Sequence, residues 1–274
     1  MKMTSCILNL TFLWFCSCQN STSQRDAKQD ETVFRDQQGH TLSKTELDQA
    51  TGQVNYEIVD NQTINPAARI LHQEARQLGQ ASRYDEAIVK LHEAIKLQPD
   101  WAYPAYDLAF TYLLKGDNAN ALKFYQKTDE LEPKGFFTSK TALYTLEGEK
   151  SGKFPPGLYT TYLQIEWTND AAKKLEIAKL ITQKVPDFAP AWKEVAMLVE
   201  DSTEKMNAIE KGLSKNPDQE TKGILLINQA ILLNNEGKQE NAKEILGNLI
   251  FSPHVTRGNL ELAKFTLKSI TQKS

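Results

Sequence analysis

Three pairs of landmark residues recur at a spacing of 34: Ala75 and Ala109, Ala87 and Ala121, Pro99 and Pro133. A period of this length belongs to chains built from stacked supersecondary units, none of which buries its apolar face alone. Each block holds two helical patterns, 68–78 then 84–97 in the first and 102–115 then 118–131 in the second. Ser82 and Asp85 have capping-box spacing ahead of the second helix. The proline after each pair stops the helix, because it lacks an N–H and its ring clashes with the preceding turn. The alanines fall where two helices would cross; a small side chain there lets the backbones approach, and a larger one would force them apart.

Numbered from residues 68 and 102, each block carries a small residue at its eighth position, Ala75 and Ala109, and Leu78 or Tyr112 at its eleventh. Ala87 and Ala121 hold the twentieth, Leu91 and Tyr125 the twenty-fourth, and Pro99 and Pro133 close the blocks. In this combination the chain resembles the tetratricopeptide repeat family, with one departure, Thr128 where the first block has Ala94. The resemblance implies an all-α fold, a right-handed superhelical α-solenoid of antiparallel helix pairs. It also implies a concave face lined by the first helix of each pair, through roughly its second, fifth and ninth positions. Carried over, those positions are Arg69, His72 and Arg76 in the first block and Tyr103, Tyr106 and Phe110 in the second. A basic patch beside an aromatic one suits an extended peptide or protein segment bearing an acidic group, since arginine holds a carboxylate bidentately and tyrosine buries large area with a polar tip. The same aromatics can instead pack on adjacent helices, Phe110 first among them. The lysine and asparagine set with which chaperone-binding members of the family clamp a C-terminus is not reproduced by Arg69, His72 and Arg76.

The C-terminal half repeats the signature less cleanly. Trp192, Ala196, Ala208 and Pro217 mark one block, and Ala230, Gly237, Ala242 and Pro253 another. A terminal helix is expected within 256–271, with Lys264, Lys268 and Lys273 toward water. On the inner face these blocks offer Lys193 and Met197, then Ile227, Ile231 and Asn234, as groove or as core. Residues 134–186 break the period with three helical patterns, 138–149, 158–167 and 171–185. Either one helix is unpaired, or the 150–157 loop replaces a missing helix and bends the array. The repeat domain is expected over 68–274 as one elongated, curved body.

Ahead of it, residues 1–17 carry Lys2 and an apolar stretch from Ile7 to Phe15. That stretch is far short of the roughly 20 residues a permanent span needs, and reads as an export signal. The run Phe15-Cys16-Ser17-Cys18 resembles a bacterial lipoprotein signal, in which the cysteine after a small residue is acylated. The resemblance implies lipidation at Cys18, and Gln19 in place of an aspartate implies the outer membrane, facing the periplasm. The alternatives are an ordinary secretory signal cut nearby and a cytoplasmic protein with an apolar N-terminus. Residues 18–42, rich in Gln, Asp, Ser and Thr, read as a solvated tether. Residues 43–67 read as a short helix capped by Ser43 and Glu46, followed by an extended arm at 54–59 laid against the first helices.

The chemistry classes thin out quickly. All three cysteines lie at or before Cys18, so the body has no disulfide, thiolate metal site or cysteine nucleophile. The formal net charge of −3 gives no footprint for nucleic acid. The histidines His40, His72, His92 and His254 form no HExxH, and neither a GxSxG nor a phosphate-cradling loop is present. No cofactor, metal or catalytic residue is expected. The expectation is a noncatalytic scaffold or adaptor. The alternatives are an enzyme with a site at the irregular middle, or a structural, self-associating repeat protein.

Overall fold

The computed structural model describes residues 31–35, 40–41, 55–59 and 63–272. They fall into two units, one ending at Gln62 and one beginning at Thr63. Within the first, β1 (Glu31–Arg35) pairs antiparallel with β2 (Asn55–Val59), in a register that sets Glu31 opposite Val59 and Arg35 opposite Asn55. The sequence reading made the 54–59 segment a lone arm and placed 31–35 inside a tether. The structure corrects both, because Thr32-Val33-Phe34 is a β-branched and aromatic run whose strand preference the polar average of its surroundings hides. The signal, Cys18 and the Ser43 cap lie outside the described residues.

The second unit is all helical. Its first two pairs are α1 (Pro66–Gln80) with α2 (Tyr84–Leu97), and α3 (Ala102–Leu114) with α4 (Asn118–Leu131). The middle holds α5 (Ser139–Lys150), α6 (Leu158–Trp167) and α7 (Ala171–Lys184). Two further pairs follow, α8 (Ala189–Leu198) with α9 (Ser202–Ser214) and α10 (Gln219–Asn235) with α11 (Gln239–Ile250), and then α12 (Arg257–Gln272). The alanines expected at helix crossings, Ala75, Ala87, Ala109, Ala121, Ala196, Ala208, Ala230 and Ala242, are all buried. Thr128 fits its alanine position by donating its hydroxyl to the Phe124 carbonyl at 2.9 Å, so nothing polar is stranded in the crossing.

The period is written into the turns as well. Ser82, Gly116 and Gly237 take left-handed backbone at φ 57°, 76° and 80°, and each turn closes with the same pair of bonds. Ser82 N–H reaches Gly79 and Arg83 N–H reaches Leu78; Gly116 reaches Leu113 and Asp117 reaches Tyr112; Gly237 reaches Asn234 and Lys238 reaches Leu233, all at 2.9–3.0 Å. Ser82 therefore terminates α1, and the capping box expected with Asp85 is not formed; the N-cap of α2 is Arg83, without a side-chain bond.

The irregular middle resolves as one unpaired helix. α6 and α7 pack as a pair that ends before Pro186, while α5 packs on α4 and touches α6 little. The loop after α5 takes the place of its absent second helix: Phe154 is buried against Tyr144 and Phe188, and its N–H bonds the Gly148 carbonyl at 3.0 Å. Glu149 caps the next helix, its two oxygens accepting the N–H groups of Gly157 at 2.9 Å and Tyr159 at 2.7 Å. Past this bend the array winds back on itself. The Arg257 N–H bonds the Lys134 carbonyl at 2.8 Å, Lys134 Nζ reaches the Pro253 carbonyl, and Thr141 donates to Asp218 at 3.2 Å. α10 thereby touches both α5 and α8.

Candidate functional site

The first block's positions divide by burial. Arg69 is exposed on α1 and Arg76 half-buried one face-repeat further on. His72, between them in sequence, is buried: its Nε2 lies 2.7 Å from Asp107 Oδ2, and its ring meets Trp101 edge-on at 4.8 Å. Asp107 lies 35 residues away on α3 and had no signal in the sequence beyond being a helix acid. Tyr103 is half-buried, with its ring 4.8 Å from Phe136 and 5.6 Å from Phe137. Tyr106 is buried, its hydroxyl 2.9 Å from Thr138 Oγ1 and its ring 5.7 Å from Tyr125. Phe110 is half-buried against the core. The fold thus gathers His72, Tyr103 and Tyr106 into an aromatic layer between α1, α3 and the start of α5. Arg69 and Arg76 remain along its edge, and the continuous, solvent-facing surface of six residues expected from the sequence is interrupted at His72 and Tyr106.

Deeper along the first helices is a cluster around Lys193, which the sequence placed on the inner face. Lys193 Nζ pairs with Glu194 Oε1 at 2.8 Å, and the Tyr162 hydroxyl donates to the same oxygen at 2.7 Å. Burial alone would push the Lys193 ammonium down; Glu194 first, then Glu220 and Glu166, hold it above its ordinary value. Glu166, at the end of α6, is exposed, yet surrounding protein raises its carboxyl, with Lys193 pulling the other way. Glu220, in the first turn of α10, is raised to about 8 by burial and then by Asp218, against the opposing pull of Lys193. Its charge is felt by Tyr106 on α3, Tyr159 and Tyr162 on α6, and Lys193 on α8. Burial likewise pushes all three tyrosines up. Tyr162 of α6 and Lys193 of α8 thus meet at Glu194, and α10 packs on α8 beside them. Of the other positions foreseen there, Met197 and Ile227 are buried core and Ile231 and Asn234 are half-buried.

On the far end, an open groove of about 580 Å³ runs between α11 and α12, lined by Ile250, Phe251 and Leu267 together with Lys243, Lys264 and Lys268. Lys243 and Lys264 are bridged to Glu240 and Glu261. Among the described residues no group of three or more His, Cys, Asp or Glu is arranged to hold a metal ion, and no helix is long and apolar enough to cross a membrane.

No family profile and no curated protein matches the chain. Solved structures similar to it include the flexible tandem repeat domain of a bacterial cellulose synthase component, at 18% identity and TM-score 0.46 over 72% of this chain and 98% of that one. A thermophilic tetratricopeptide protein of Thermus thermophilus is similar at 17% identity and TM-score 0.32, over 75% and 100%. MamA from Desulfovibrio magneticus RS-1 is similar at 13% identity and TM-score 0.33, over 74% and 98%. The tetratricopeptide-like solenoid is read from this chain's own stacked pairs, buried alanines and repeated turn bonds.

Proposed function

We propose that this chain is a noncatalytic interaction module that holds a segment of another protein along the inner wall of its stacked helices. One observation carries the reading: bonds that span the repeats, Tyr162 of α6 to Glu194 of α8 at 2.7 Å and Thr141 of α5 to Asp218 at the start of α10 at 3.2 Å, bring side chains of several helices together. A surface assembled across several repeats suits an extended ligand, which pairs its side chains with successive helices. In this reading Arg69 and Arg76 are rim contacts and Tyr103 and Phe110 offer half-buried ring edges. His72 and Tyr106, held by Asp107 and Thr138, fix the layer beneath.

The module is placed at the bacterial cell envelope by an acyl anchor on Cys18, at the periplasmic side of the outer membrane, with no role for nucleic acid. The support is the Lys2-to-Cys18 pattern, and two or more acyl chains suffice for stable attachment. Both parts are tested in one strain series. Radiolabelled palmitate is expected in the membrane fraction of the full chain and absent from Cys18→Ser, which should be released as soluble protein. Cross-linking in cell envelopes should join the wild type to a partner that an Arg69→Ala/Arg76→Ala variant of equal helicity loses. An unchanged partner set would move binding off this face.

A further inference from the structure

We infer that the open groove between α11 and α12 seats an acidic amphipathic helix of another protein, which packs there as the second helix of a pair with α12. The groove uses none of the inner-wall residues, and the chain's own repeat supplies its template. An offset of 155 residues carries Ser82 onto Gly237, Ala87 onto Ala242, and Ala102 at the start of α3 onto Arg257 at the start of α12. The same offset carries Ile88, His92, Ile95 and Tyr112 onto Lys243, Gly247, Ile250 and Leu267, all four of which line the groove. In the first blocks that surface is covered. Phe124 of α4 lies across it, its ring 5.4 Å from His92 of α2 and stacked at 5.8 Å on Tyr112 of α3, in a cluster that includes Ile88 and Ile95. Among the described residues no second helix follows α12, and the corresponding seat stands open.

The lining selects the occupant. A Cβ on Gly247 would meet nothing within 4 Å, so the space reaches the backbone of α11, where an incoming apolar side chain finds room. The end of a helical array is ordinarily polar on its outer face, whereas Ile250, Phe251 and Leu267 leave this one apolar. From Lys243 to Phe251 the groove follows about two turns of α11, a length and concavity that suit a helix laid in it rather than a flat layer of headgroups. Charge then sets the sign: the lining holds Lys243, Lys264 and Lys268 and no acid. Glu240 and Glu261, bridged to Lys243 and Lys264 at 2.9 Å, are i,i+3 neighbours at the surface, where such a pair contributes little, so an incoming carboxylate replaces them at small cost. A second copy presenting this same end would set lysine against lysine.

The probe is the helix that fills the corresponding seat: an acetylated, amidated peptide of residues 118–131 carrying Lys123→Glu and Lys127→Glu, titrated by calorimetry into the full chain carrying Cys18→Ser. Saturable one-to-one binding is expected, with a gain of helicity in circular dichroism. Phe124→Ala in the peptide should weaken binding roughly tenfold, and the peptide that keeps its lysines should bind several-fold less tightly. In the protein, Gly247→Phe fills the groove at a position open to a side chain and should abolish binding. Lys264→Glu, at an exposed position, should weaken it several-fold, and both variants should keep the helicity of the parent chain.

No saturation, indifference to both protein variants, or preference for the lysine peptide would overturn the assignment. A parent chain that sediments as a dimer while Gly247→Phe stays monomeric would overturn it in favour of a second copy as occupant. Binding to phosphatidylglycerol vesicles without binding to the peptide would overturn it in favour of a lipid contact. The inner-wall reading is untouched by any of these results, since its own test is the loss of a cross-linked partner from the Arg69→Ala/Arg76→Ala variant.

Discussion

Ser82 holds a backbone conformation that its counterparts, Gly116 and Gly237, adopt without a side chain. An L residue in that region costs about 1–2 kcal/mol, against about 0.5–1 kcal/mol of extra chain entropy lost by glycine. Ser82→Gly should therefore stabilise the protein by up to about 1 kcal/mol, read as a higher urea midpoint. Two helical glycines predict opposite outcomes. A Cβ on Gly148 would stand 2.2 Å from the Phe154 ring, whereas one on Gly247 meets nothing within 4 Å. Gly148→Ala must unseat Phe154 and should cost about 1–3 kcal/mol; Gly247→Ala should be neutral or gain up to about 1 kcal/mol. Glu220 carries a pH signature. Its folded carboxyl keeps its proton to about 8 while the unfolded chain releases it from 4.5 upward, so the stability it contributes in acid is lost as pH rises through that interval. Glu220→Gln should flatten the fall of the thermal midpoint between about pH 5 and about pH 8.

At the scale of elements, the decisive feature is α5, a first helix without its second. Its last turn does two jobs that a complete pair would have made unnecessary: Gly148 seats the loop through Phe154, and Glu149 caps α6. A carboxylate at a helix N-terminus satisfies donors that have no intrahelical partner and opposes the positive end of the helix dipole. Glu149→Ala should cost about 1–2 kcal/mol, and the loss should show as faster amide exchange confined at first to α6. The exposed Phe251 at the end of α11 provides the contrast. Its side chain is 87% exposed, so Phe251→Ser should change stability by no more than about 0.5 kcal/mol.

Taken as one body, the helical unit departs from an open solenoid, in which each repeat touches only its neighbours and ends fray independently. Bonds between residues 119 and 125 apart tie Lys134 to Pro253 and Arg257 to Glu132, and a Cβ on Gly223 of α10 would stand 2.1 Å from Asn259 of α12. Such contacts couple the middle of the chain to its last helix. Chains keeping Trp101 or Trp192 as their one tryptophan should give coincident urea transitions by fluorescence. Asn259→Ala, which removes donors to the Gln219 and Glu220 carbonyls, should shift both midpoints together.

The helix pairs were legible in advance because their information is local. An alanine at a crossing, a proline after a pair and a left-handed turn between helices each act within a few residues, so Ala75, Pro99 and Gly116 announce the repeat wherever the chain goes. His72 with Asp107, Glu149 with the start of α6, and Glu220 facing Lys193 and Glu166 carry no such mark. His72 owes Asp107 to the stacking of α3 on α1, Glu149 owes its N–H partners to the path of the loop that follows it, and Glu220 owes its charge state to the packing beyond α5. Burial is a property of the packed whole: the same glutamate is an ordinary surface acid on an isolated helix and a proton-holding group once three other helices close around it.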